Sequence, residues 1–233
     1  MKVRFLSEDQ SSVNGESNDV GWLFQQLLSR YGPQGWWPAS ELFELVVGAL
    51  LTQNTTWTQV ERVIAVLRQR QLLTIDAIRH VDDQTLWPLL RPTGYFRVKT
   101  QRLRAMVQFL GRFNDDWRQL FQYDTDHLRQ LLLQVNGIGP ETADCILCYG
   151  AGRPLFVADR YSQRLLARLG WIQDNAGYDA TQHWVQQRFP VDAVALGELH
   201  ALIVRHAKVH CQATPRCQDC CCGGRCCAPL AIK

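Results

Sequence analysis

Leu131-Leu132-Leu133-Gln134-Val135-Asn136-Gly137-Ile138-Gly139-Pro140-Glu141-Thr142-Ala143-Asp144 interrupts an apolar helical run with Gly-Ile-Gly and restarts it at once. Glycine enters the φ > 0 region without steric cost and leaves room for a ligand to approach the backbone, and proline is tolerated in a first helical turn. The stretch therefore predicts two helices joined by a tight hairpin, the second over roughly 141–149, with both glycines able to take positive φ. That second helix starts with unpaired backbone N–H groups and the positive end of a dipole, a place suited to an anion such as phosphate. Two glycines between helices are equally compatible with a plain turn.

Working outward, apolar residues recur at helical spacing in most of the chain. Helices are predicted over 22–31, 42–51, 58–70, 74–80, 83–90, 97–113 and 125–134 before the hairpin, and over 161–169, 180–189 and 191–209 after it. Ser40 is placed to cap the second of them, Gly32-Pro33 stops the first, and Pro92-Thr93-Gly94 breaks the middle of the series. No period-2 alternation persists, so the expected class is all-α, with about ten short helices. The polar segment 1–20 is expected to be frayed.

The chain has 233 residues, 46% of them apolar and 20% charged, which suits a soluble globular protein with a substantial core. No apolar run approaches the roughly 20 residues that span a bilayer, and the first 18 residues carry no signal-like apolar stretch, so no membrane association and a cytoplasmic location are expected. The net charge of +3 permits nucleic-acid binding without demanding it. Basic residues gather at Arg97, Lys99, Arg102 and Arg104, at Arg160, Arg164 and Arg168, and at Arg205, His206 and Lys208; each group is expected first as a solvated face. Seven of the nine cysteines lie between Cys211 and Cys227, a density that favours a metal or cluster site over scattered disulfides.

Beyond the hairpin the sequence continues Thr142-Ala143-Asp144, then Phe156-Val157-Ala158-Asp159-Arg160, Arg164 and Arg168-Leu169. From Trp36 to Cys226 this pattern resembles the helix-hairpin-helix DNA glycosylase superfamily, to which endonuclease III belongs. The resemblance implies a two-lobed fold with the active-site cleft between lobes. One lobe would be a six-helix bundle over 34–152 that includes the hairpin, and the other would combine 21–33 with 153–233. It also implies that the hairpin, Asn136-Gly137-Ile138-Gly139, grips the backbone of double-stranded DNA containing a damaged base, and that Asp159 is catalytic. A carboxylate there would stabilise the oxocarbenium charge that develops on the sugar and orient the attacking water. On spacing alone Asp159 could also simply be the N-cap of the next helix.

Two departures from the family pattern narrow the expectation. Bifunctional members carry a lysine at the place of Glu141, where its amine forms a Schiff base with the sugar; a glutamate cannot form an imine. Glu141 also has the ordinary role of a first-turn carboxylate. Adenine-mismatch members carry a glutamate at the place of Gly48, which protonates a neutral purine. Lacking both, the enzyme would need a base that is already a good leaving group, as a positively charged ring-alkylated purine is. The segments Trp36-Trp37-Pro38, Phe43-Glu44, Gly48-Ala49-Leu50-Leu51-Thr52-Gln53-Asn54-Thr55 and Arg91-Pro92-Thr93-Gly94 are similar to the 3-methyladenine DNA glycosylase branch. That likeness implies a base pocket of Trp36, Trp37, Phe43 and Glu141, where aromatic faces would hold a cationic base at about 1–3 kcal/mol each. These aromatics could equally be core residues.

By the same resemblance Gln53 would fill the hole left by a flipped base, with Tyr95 supporting the opposite strand. The spacing Cys211-x5-Cys217-x2-Cys220-x5-Cys226 is one residue short, in its first gap, of the family's [4Fe–4S] motif, so a [4Fe–4S] cluster is expected ahead of zinc; Cys221, Cys222 and Cys227 compete as ligands. The expected activity is monofunctional removal of alkylated purines by a monomer. The alternatives are a glycosylase for oxidised or mismatched bases, and a DNA-binding protein without catalysis.

Overall fold

Side-chain caps fix where half of the helices begin. Thr74, Asp82, Asp116, Asp124, Asp159 and Asp192 each accept a hydrogen bond from a backbone N–H two or three residues on, an arrangement worth about 1 kcal/mol per helix. The computed structural model describes residues 19–36, 39 and 41–227. Among these are twelve α-helices: α1 (Asp19–Tyr31), α2 (Leu42–Thr52), α3 (Trp57–Gln69), α4 (Ile75–His80), α5 (Asp83–Leu90), α6 (Phe96–Gly111), α7 (Trp117–Leu120), α8 (Thr125–Leu133), α9 (Pro140–Cys145), α10 (Arg160–Arg168), α11 (Tyr178–Arg188) and α12 (Ala193–Val209). The described residues contain no strand, so the fold is all-α. None of their helices is long and apolar enough to cross a membrane.

Three local expectations change. The span 34–152 holds eight α-helices, α2 to α9, rather than six. One of them, α7, is a single turn too short to show a period. Ser40 lies outside the described residues, and Glu41, which stands at the start of α2, makes no side-chain cap. The second hairpin helix is α-helical only as far as Cys145, after which the chain widens into a π turn over Ile146–Gly150. There the Ala151 N–H donates to Ile146 O at 3.1 Å. Such turns are rare and concentrate at functional sites.

The buried apolar side chains form two main cores. The first draws on α2 to α9 and the π turn, with Val46, Leu50, Val60, Leu67, Leu86, Leu103, Leu110, Leu132 and Ile146 among its members. The second joins Leu23 and Leu27 of α1 to Phe156, Leu165, Leu166, Val185, Leu199, Leu202 and Ile203, so the first helix packs with the end of the chain. A small third set, Ala49, Cys145, Cys148, Val157 and Ala193, lies among α2, α9, the π turn and the start of α12.

The hairpin is tied to the second core through Asp144 on α9, which is fully buried. Its carboxylate accepts from Arg129 Nε at 2.7 Å and Nη2 at 3.1 Å, from Tyr178 Oη at 2.9 Å and from Gln182 Nε2 at 2.7 Å. Gln182 Nε2 also donates to Phe156 O at 2.7 Å. One carboxylate thus holds together α8, α9, α11 and the strap that leads to Asp159.

Candidate active site

Asp159 ends the strap that follows the π turn and stands at the start of α10. It caps α10, accepting the Ser162 N–H at 2.8 Å, and its other oxygen lies 3.5 Å from His200 Nε2 on α12. Only 7% of the residue is exposed. Burial pushes its carboxyl up, but the hydrogen bond and charge of His200 and the bonds from Ser162 prevail and hold it below its ordinary value. A carboxylate that stays ionised in a low-dielectric setting is what stabilising a cationic sugar requires.

His200 is held in turn. Its Nδ1 is 2.6 Å from the hydroxyl of Tyr149 on the π turn, which also donates to Gly197 O at 2.9 Å. Gly197 permits this close packing: a Cβ there would stand 2.8 Å from Tyr149 Cε1. Trp36 stacks on the His200 ring, centroids 5.7 Å apart and planes 17° apart, and the Lys208 ammonium lies 5.7 Å from the Trp36 ring. The loop that carries Trp36 is fastened to the same helix, since Gln34 N–H and Gly35 N–H donate to the Glu198 carboxylate at 2.5 and 3.2 Å.

Glu141, in the first turn of α9, is open to solvent. The surrounding protein and then the charge of Asp159 push its carboxyl up, while His200 and Arg160 pull it the other way. Glu141 and Asp159 therefore feel one another across one site. Phe43 is 6% exposed and packed in the first core. Trp37 lies outside the described residues.

In the hairpin, Gly137 takes φ +88, whereas Gly139 caps α9 with φ −95. Only one of the two glycines uses the left-handed region. Gly137 also admits the Arg102 side chain, whose Cγ would be 2.2 Å from an added Cβ. Asn136 is exposed and Ile138 is buried in the first core. Gln53, at the end of α2, donates through Nε2 to Gly137 O and Thr142 Oγ1, both at 2.9 Å, and its Oε1 accepts from Arg102. Tyr95 stands apart at the start of α6, 72% exposed, with φ +46.

The basic clusters are partly spent inside the protein. Lys99 and His206 are buried rather than solvated. Arg164 Nε donates to Cys211 O at 2.9 Å, and Arg168 donates to Cys211 Sγ at 3.2 Å, Gln212 O at 2.6 Å and Ala213 O at 2.9 Å. These two residues of α10 hold the cysteine loop. Cys211, Cys217, Cys220 and Cys226 line one cavity with Cys222, and no cysteine among the described residues is in a disulfide. His206, itself 2.9 Å from the Tyr31 hydroxyl, reaches Cys220 Sγ at 3.6 Å. Sulfur atoms of Cys221 and Cys222 also lie with His206 within 4.8 Å of one another. Within the adjoining Cys220, Cys221 and Cys222, a bond from Cys222 and help from His206 pull the Cys220 thiol down against the effect of burial. Thiolate character of this kind suits a soft metal ligand.

Sequence reasoning singled out Asp159, Glu141, Gln53 and the hairpin but not His200, Tyr149 and Arg102, which the structure sets against Asp159 and Gln53. The sequence pattern of the HhH-GPD superfamily of base excision DNA repair proteins matches residues 47–190. A Methanocaldococcus jannaschii protein whose name assigns it to the DNA repair glycosylases is 40% identical over 200 residues, covering 85% of this chain and 91% of that protein. The structure of Helicobacter pylori 3-methyladenine DNA glycosylase bound to 1,N6-ethenoadenine matches with a TM-score of 0.71 at 27% identity, over 82% of this chain and 95% of that one. An endonuclease III–DNA complex matches with a TM-score of 0.74 at 17% identity, over 91% and 96% of the two chains, and shares the fold. With this hairpin, and with Asp159 held against α12, the chain belongs to the endonuclease III-like helix-hairpin-helix superfamily of base excision repair and is a DNA glycosylase.

Proposed function

We propose that the enzyme is a monofunctional glycosylase that removes alkylated purines of the 3-methyladenine type from double-stranded DNA, acting as a monomer. The observation that carries this reading is Glu141, which feels the charge of Asp159 and occupies the position that, by the family resemblance, holds the Schiff-base lysine of bifunctional members. The chain has only four lysines: Lys2, Lys99, Lys208 and Lys233. Of the two described, Lys99 is buried on backbone carbonyls, and Lys208 lies over Trp36, roughly two turns along α12 from His200. Water is then the nucleophile, and the products are a free base and an uncut abasic strand.

Asp159 would stabilise the positive charge that builds on the deoxyribose as the bond to the base lengthens, and His200 would keep that carboxylate ionised and aimed. Gly48 supplies no acid for a neutral leaving group, so the substrate's own charge does that work. The likeness to the Helicobacter pylori enzyme supports the same base class. Gln53 and Tyr95 would fill and brace the duplex where the base leaves it. Cys211, Cys217, Cys220 and Cys226 fit a [4Fe–4S] cluster by their all-sulfur donor set and shared cavity. Bound there, the cluster would supply structural cross-linking of the C-terminal loop, with no part in hydrolysis.

The test is release of free bases from methylated duplex DNA, resolved by chromatography, alongside borohydride treatment. 3-Methyladenine should be released far faster than neutral hypoxanthine, nicks should appear only after alkali, and borohydride should trap no adduct. Equal rates on hypoxanthine would show a general acid at work and overturn the substrate assignment. Efficient trapping would overturn the monofunctional one.

A further inference from the structure

Lys99 is one of the largest fully buried side chains, 1% exposed, on the inner face of α6. No carboxylate pairs with it among the described residues. Its ammonium instead donates to Leu51 O at 2.8 Å and to Thr93 O at 2.6 Å. Leu51 is in the last turn of α2 and Thr93 ends the 3-10 turn Arg91–Thr93, so both carbonyls belong to helix ends whose oxygens lack intrahelical partners. Each carbonyl lies two residues before a residue that the proposed function sends into DNA: Gln53 follows Leu51, and Tyr95 follows Thr93. The Lys99 N–H also donates to Tyr95 O at 3.0 Å. One turn further along α6, Arg102 binds Gln53 and packs on Gly137.

A buried cation without a counter-ion is costly, and a helix end needs nothing so expensive to satisfy it. What a lysine does that a local cap cannot is bond two separate loops at once. We propose that Lys99 is a positioning residue that fixes the spacing between the loop tips bearing Gln53 and Tyr95, so that both enter the duplex together. This rests on the reading that those two residues penetrate DNA. Burial, then the nearby Arg102 charge, lowers the ammonium to about 8, in keeping with a donor held for its geometry and not for its charge.

The experiment uses a duplex with a tetrahydrofuran abasic analogue opposite 2-aminopurine, whose fluorescence rises on unstacking whatever base the enzyme prefers. Lys99→Met and Lys99→Gln should bind this duplex within about three-fold of wild type yet lose at least roughly half of the fluorescence rise. On methylated DNA, excision from a paired site should fall about ten-fold or more, while excision from an unpaired bulge, which needs no coordinated entry, should fall less than about three-fold. A full fluorescence rise in both variants, equal losses on paired and bulged sites, or failure of both variants to fold would overturn the positioning role in favour of a purely structural one. No rise in wild type, or a rise untouched by Gln53→Ala and Tyr95→Ala, would instead overturn the penetration reading beneath it.

Discussion

Asp144→Asn removes one charge from the most enclosed carboxylate among the described residues and should be disproportionately harmful. The wild-type oxygens face four donors, Arg129 Nε, Arg129 Nη2, Tyr178 Oη and Gln182 Nε2. An asparagine in the same rotamer presents one oxygen and one NH2, so at least one contact becomes donor against donor. Arg129, with 17% of its side chain exposed, then keeps an ion pair only with Asp179, whose side chain is 77% exposed. Hydrogen bonds to charged groups contribute about 1.5–3 kcal/mol each, and breaking one side of a buried pair costs about 3–5 kcal/mol. For a chain of this size that is a fall of roughly 10 °C in Tm. Urea unfolding followed by circular dichroism measures it, with Asp83→Asn as control; the Asp83–Arg104 pair is half-exposed, and its loss should cost under about 1 kcal/mol. A loss for Asp144→Asn no larger than for the control would refute the idea that this carboxylate fastens the hairpin to the second core.

Asp159→Asn should lower single-turnover excision by orders of magnitude while DNA affinity changes little, because the carboxylate acts on charge present only in the transition state; a large loss of affinity with turnover preserved would contradict it. Since the folded Asp159 carboxyl lies below its ordinary 3.8, the stability it contributes is present above that value and lost only as pH falls through the lower folded one. The excision rate should accordingly hold level down to the ordinary carboxylate range, and an earlier acid limb abolished by Glu141→Gln would assign the titration to Glu141. Gly197→Ala should displace Tyr149 and reduce excision about ten-fold with a stability loss of about 1–3 kcal/mol, and unchanged excision would dismiss the Tyr149–His200 contact as incidental. Purified protein should be yellow-brown with absorbance near ~400 nm, and stoichiometric zinc in colourless, fully active enzyme would replace the cluster.

Most of the helices were legible because they are amphipathic over two or more turns; α7, a single turn, gave no period to read. The π turn was invisible for a different reason: Ile146 to Gly150 continue an apolar pattern, and widening by one residue per turn leaves no mark on composition. Asp159 and Glu141 could be found because they sit at fixed offsets from the hairpin. His200 could not, since it is one of two histidines on the apolar helix α12, 41 residues beyond Asp159 in a region without a motif. Lys99 was misread because a lysine within a run of arginines looks like a solvated face, and only the packing of α6 against two loop roots shows otherwise. The two hairpin glycines looked equivalent, yet only Gly137 has positive φ, because Gly139 must already lead into α9.

Helix α10 is capped by Asp159 and ends at Arg168, whose guanidinium and carbonyl oxygen grip the cysteine loop at Cys211, Gln212, Ala213, Cys226 and Cys227. Nine residues of α-helix form a stiff rod of about 13 Å. Its near end carries the Asp159 carboxylate, which the proposed function aims at the sugar, and its far end is anchored in the cysteine loop. Such a rod has no joint in which to absorb a disturbance. A displacement of the cysteine loop at the far end would therefore be felt by the Asp159 cap at the near end, so the set of that loop and the aim of the carboxylate are linked through ordinary mechanics.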